Sequence, residues 1–151
     1  MRRVALSTLG AVLCAASPAL ATPTSASTSQ AVTINSQIDL NTEPATGTWT
    51  ATGGIADSGT LSEPVLNPVG VGSLQLHIER VLVGGQGSIT IRIQSSLTGF
   101  SEGIGSFTGH WVVISGTGAY TDLHGEGLRT ATADVNAGIV TETLTGNVHF
   151  D

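Results

Sequence analysis

Residues Leu74 to Gln94 read LQLHIERVLVGGQGSITIRIQ. Leu74, Leu76 and Ile78 alternate with Gln75, His77 and Glu79. After Gly84-Gly85, Ile89, Ile91 and Ile93 alternate with Thr90, Arg92 and Gln94. Successive strand side chains point to opposite faces, so a period of two puts every apolar residue on one side. Two such runs joined by a glycine turn make a β-hairpin with one buried face.

The same pattern extends outward in both directions. Val32, Ile34, Ile38 and Leu40 alternate with Thr33, Asn35, Gln37 and Asp39. Gly47 to Gly53 centres on Trp49, flanked by Thr48 and Thr50. Phe107, Trp111 and Val113 share one face of a later strand. Gly125 to Ala133 and Gly138 to Phe150 form the last two, joined at Asn136-Ala137-Gly138. Glu43-Pro44, Gly53-Gly54 and Asp57-Ser58-Gly59 read as turns or bends, and Pro64 to Gly72 as a loop. No helical period of useful length occurs after Gln30. Roughly seven or eight strands with short connections fit an up-and-down barrel or a sandwich. The barrel is preferred because closure removes exposed strand edges. The expected fold is all-β: a single antiparallel, eight-stranded closed β-barrel.

The N-terminus has a separate grammar. Arg2 and Arg3 precede an apolar run from Val4 to Ala16, Pro18 breaks it, and Ala19-Leu20-Ala21 supplies small residues for a signal peptidase. The run is shorter than the roughly 20 residues a membrane span needs. Residues 1–21 are expected to be a cleaved signal peptide, 22–29 a Thr/Ser/Ala/Pro leader, and 30–151 the barrel domain of a secreted protein. Cys14, the sole cysteine, falls in the signal segment, so the mature chain holds no disulfide and no thiol nucleophile. After cleavage three arginines remain against eleven acids, a balance of −8, with no lysine. That charge argues against nucleic acid and anionic membrane surfaces. The missing lysine excludes Schiff-base chemistry.

Gly103 to Gly127 reads GIGSFTGHWVVISGTGAYTDLHGEG. Its Gly105-x-Phe107-x-Gly109 strand, its Gly116 to Tyr120 turn and its Gly125-x-Gly127 lead-in resemble the allene oxide cyclase-like and dirigent-like barrel superfamily. The resemblance covers under a fifth of the chain. It implies an eight-stranded barrel whose partly apolar cavity steers a small hydrophobic molecule by shape, in some members as a homo-oligomer. Any activity would then be cyclase- or isomerase-like. No catalytic residue carries over, and no cofactor is implied. The glycines have their own reading as bends and close approaches, with Tyr120 and Leu123 folding one turn over a barrel mouth.

Gly99-Phe100-Ser101-Glu102-Gly103 matches a nucleophile elbow in letters only, since no helix pattern follows it as that motif requires. His77, His110 and His149 lie opposite the apolar residues of their strands, facing out. No histidines stand at ligand spacing in the sequence, so no metal site is expected. His124, flanked by Asp122 and Glu126, is the histidine placed to rim a pocket. Trp49, Phe107, Trp111 and Phe150 fall on inward faces, either as core or as a cavity lining. Arg80 shares parity with Ile78 and Leu82, and Glu142 with Val140 and Leu144. A lone buried charge is costly, so the two are expected to meet inside the barrel as an ion pair. The alternative has Arg80 snorkelling to water and a bulge turning Glu142 outward. The candidate ligand-binding set is therefore Arg80, Glu142, Trp49, Phe107, Trp111, Tyr120 and His124. Two functions fit: a barrel that binds or reshapes a small hydrophobic molecule, or a non-enzymatic binding module with a filled interior.

Overall fold

The computed structural model describes residues 27–69 and 74–151. The expected signal peptide and most of the leader lie outside these residues. The described chain forms eight strands: β1 (Gln30–Asp39), β2 (Ala45–Gly53), β3 (Asp57–Val69), β4 (Gln75–Gly84), β5 (Ser88–Ser101), β6 (Ile104–Gly116), β7 (Leu123–Asp134) and β8 (Ile139–Phe150). Each pairs antiparallel with the next, and β8 returns to β1 to close the barrel. A single 3-10 turn, Gly118–Tyr120, sits between β6 and β7.

The alternation seen in the sequence becomes the inside and outside of the wall. Val32, Ile34 and Ile38 of β1, Ile78 and Leu82 of β4, Ile89, Ile91 and Ile93 of β5, and Val140, Leu144 and Val148 of β8 all face the lumen and are buried. The intervening Thr48, Thr50, Gln94, Thr130 and Thr141 are exposed. The expected eight-stranded antiparallel barrel is the observed fold.

The two ends differ. One carries the β1–β2, β5–β6 and β7–β8 hairpins. The tight β5–β6 turn places Glu102 and Gly103 both at positive φ, 53° and 85°. Two central residues of that conformation match the twist of the flanking strands, and glycine adopts it without steric cost. The other end is capped by Ile55, Tyr120 and Leu123, all buried. The turn expected to fold over a mouth does so.

Four local expectations need correction. Of the expected Pro64 to Gly72 loop, the described part is strand: β3 runs on to Val69, with a register shift between Ser62 and Val65. Proline has no N–H for the ladder, and a bulge is where a strand tolerates one. Asp57 to Gly59 is the start of β3 rather than a turn. Phe150, the last residue of β8, is 43% exposed, and Leu40, just past β1, is 37% exposed. Both have inward parity but lie where the wall ends, and among the described residues they are only partly covered.

The two indoles explain several glycines that composition suggests are bends. Trp111 donates Nε1–H to the Thr145 carbonyl at 3.2 Å. Its ring lies against Gly127 and Gly146, where an added Cβ would fall 2.7 and 2.8 Å from ring atoms. Trp49 donates to the Val83 carbonyl at 3.2 Å, with Gly84 beneath its ring. The missing side chains make room for large aromatic bodies, which contribute much of a small core.

Candidate functional site

The lumen contains a charged chain built from four strands. Arg80 of β4 sits between inward Ile78 and Leu82, and its side chain is fully buried. Its Nε and Nη2 donate to Glu63 Oε1 of β3, the Nε bond at 3.0 Å. Its Nη2 also donates to Glu142 Oε2 of β8 at 3.2 Å, and Nη1 is in direct contact with Glu142 Oε1. Glu142 Oε2 accepts in turn from Arg129 Nε of β7 at 2.7 Å. Arg129 Nη1 donates to Ser95 Oγ at 2.8 Å, and Ser95 Oγ donates to the Thr108 carbonyl at 3.1 Å.

Two guanidiniums and two carboxylates thus cancel in charge. Desolvation pushes the Arg80 guanidinium below its ordinary range, and Glu63 opposes the shift. Arg129 is pushed down to about 10, first by desolvation and then by the neighbouring Arg80 charge, again opposed by Glu63. At about 10, Arg129 keeps its proton near neutrality. Among the described residues, Ser36 Oγ, opposite Glu142 in the β1–β8 register, is buried without a partner.

The expected meeting of Arg80 and Glu142 occurs, and neither snorkelling nor a bulge removes either residue from the lumen. Trp49, Phe107, Trp111 and Tyr120 also face inward and are buried. Tyr120 donates its hydroxyl to Asp57 Oδ2 at 2.7 Å. Asp57 also accepts from the backbone N–H groups of Ser58, Gly85 and Gln86. The Tyr120 bond, followed by these backbone donors, holds Asp57 below its ordinary carboxylate range. Desolvation and Asp57 hold the Tyr120 phenol well above its own.

His124 does not join this group. It lies on the outer face, 5.3 Å from His149 and nearly parallel to it. Asp151, not Asp122 or Glu126, approaches it, at 3.0 Å from Nε2. His124 and His149 are direct cross-strand partners of β7 and β8. Their rings are stacked rather than splayed around a point, and among the described residues no group of three His, Cys, Asp or Glu is arranged to hold a metal ion.

Glu63, Arg129 and Ser95 belong to the charged chain although sequence reasoning did not single them out. Arg129 has inward parity with Ala131 and Ala133, a usable but faint signal. Glu63 precedes the proline that ended the strand on paper.

Outside the lumen, the wall of β4 to β7 carries a depression of about 520 Å³. Two registered rows of side chains line it: His77, Gln94, His110 and Leu128, and beside them Gln75, Ser96, Thr108 and Thr130. Beneath it Gly109 brings β6 against β5, where a Cβ would fall 2.1 Å from the Gln94 carbonyl oxygen. A second cleft, about 470 Å³, opens at the β3 bulge between Leu40, Ala45, Glu63 and Val65.

No family model, curated protein or solved structure matches this chain.

Proposed function

We propose that the chain is a secreted, non-enzymatic binding module whose lumen is structural and whose outer wall meets its ligand or partner. One observation carries this reading: the lumen's charged groups and aromatic donors are engaged by the protein itself. Arg80, Arg129, Glu63 and Glu142 engage one another, and both indole N–H groups and the Tyr120 hydroxyl have protein acceptors. A ligand site needs a few convergent polar groups free to fix orientation. The outer face offers such groups. Its Thr, Ser, Asn and Gln rows also differ from the apolar band a membrane barrel presents to lipid.

A second reading is favoured by the hairpin end of the barrel. There Leu40, Leu74, Phe100, Ile104 and Val135 stand exposed around one mouth. This is the chemistry of a port for a small hydrophobic molecule, as the allene oxide cyclase-like resemblance implies.

Native mass spectrometry of the exported protein separates the two. The mass of the bare chain supports the filled lumen. A stoichiometric apolar adduct, lost on Phe107→Trp substitution in the lumen, would overturn it.

A further inference from the structure

We infer that the depression on the β4–β7 wall is a binding site for a neutral oligosaccharide, an inference that rests on the outer-wall reading above. Its volume, about 520 Å³, lies within the usual range of roughly 300–1,000 Å³ for small-ligand sites. Its lining is a grid. Neighbouring strands stand about 4.8 Å apart, and alternate residues of one strand about 6.8 Å apart. Gln94 and His110 therefore project side by side, with Ser96 and Thr108 in the adjacent row.

Each polar group on this grid can donate and accept. Amides, hydroxyls and imidazoles all do so, as sugar hydroxyls require of a partner. Elsewhere on the wall some such groups are spent: Thr143 bonds Asn35, and Thr98 bonds the Ser106 carbonyl. Among the described residues, the side chains of Gln94, Thr108, His110 and Thr130 have no such partner. Leu128, 57% exposed at the edge of the depression, supplies an apolar surface for the C–H face of a ring.

Charge selects the ligand class. The mature chain is strongly acidic, yet no carboxylate lines this depression. The arginine that lines it, Arg129, turns its head group into the lumen toward Glu142. No carboxylate or guanidinium head group faces the depression, so a charged ligand would find no permanent counter-charge there, whereas a neutral polyol needs none.

The test is an amide-shift titration of the ¹⁵N-labelled mature protein with cellohexaose, maltohexaose and chitohexaose in turn. Each is taken to about 10 mM, enough to half-saturate a site with Kd near 10 mM. At least one hexamer should shift the amides of Gln94, Thr108, His110 and Leu128. The double variant Gln94→Ala/His110→Ala should lose those shifts and keep the wild-type melting temperature. No shift with any hexamer, shifts centred elsewhere, or shifts that survive in the double variant would overturn the inference. An adduct in the lumen would refute the outer-wall reading and leave the titration interpretable. A failed titration with a bare lumen would refute only the oligosaccharide.

Discussion

Arg80 and Glu142 stand on opposite walls of the barrel, four strands apart in a ring of eight, and their head groups meet across the lumen. Glu63 and Arg129 extend the contact on either side, so the unit is a neutral quartet rather than a pair.

Removing one member should strand the others. Glu142→Ala leaves two buried guanidiniums facing one carboxylate, and its expected cost is about 3–5 kcal/mol. Replacing only Arg80 and Glu142 by Leu should give little rescue, because Glu63 then loses both bonds from Arg80 and Arg129 keeps only Ser95. Replacing all four by Leu or Met should recover most of the loss, as apolar isosteres of buried ion networks often do. Urea denaturation midpoints of the three variants test this. A double variant as stable as the quadruple one would show that Arg80 and Glu142 act alone.

The Tyr120–Asp57 latch should be visible in the pH dependence of stability. Asp57 has a depressed folded pKa, so its contribution is present above its unfolded value near 3.8 and is lost as pH falls through the lower folded value. Tyr120 has a raised folded pKa, so its contribution is complete below its unfolded value near 10 and is lost as pH rises above it. Tyr120→Phe should cost about 1 kcal/mol at neutral pH. The wild-type advantage should shrink below pH 4 and again above pH 10. Taking the difference between the two proteins cancels Arg129, which is common to both. An advantage constant from pH 3 to pH 11 would show that the bond contributes nothing.

Export makes a claim on residues outside the described barrel. Cleavage after Ala21 should leave a mature chain beginning at Thr22, measurable by intact mass of the secreted protein. A start several residues away would move the site. A retained Met1 would refute secretion.

The inner wall was legible wherever strands keep strict period two. Ile89, Ile91 and Ile93, or Leu144 and Val148, state their face without help, and the same parity carried Arg80 and Glu142 to the lumen. Legibility failed where the chain departs from that period. The bulge between Ser62 and Val65 sends Glu63 inward and Val65, of the same parity, outward. Arg129 was obscured because its inward neighbours, Gly127, Ala131 and Ala133, are small and mark no apolar face clearly. The stacking of His124 on His149 depends on the register of β7 and β8, which no single strand encodes. The outer depression arises only when four strands lie side by side, so no stretch of sequence contains it.

The glycines beneath Trp111 give the last prediction. Gly127→Ala would place a Cβ 2.0 Å from the Thr145 carbonyl oxygen and 2.7 Å from the indole nitrogen. That oxygen is the acceptor of the Trp111 bond, so the intruding methyl must displace backbone, ring or both. Overpacking of this kind costs about 1–3 kcal/mol. Gly146→Ala meets the same ring from β8 and should behave alike. Gly99→Ala is the control: its Cβ would meet nothing within 4 Å, and its stability should be unchanged or slightly raised. Melting temperatures and tryptophan emission of the three variants decide the matter. Only the first two should lose stability and shift emission to the red. Equal stability across all three would mean that the wall yields easily, and that these glycines serve curvature rather than the indole.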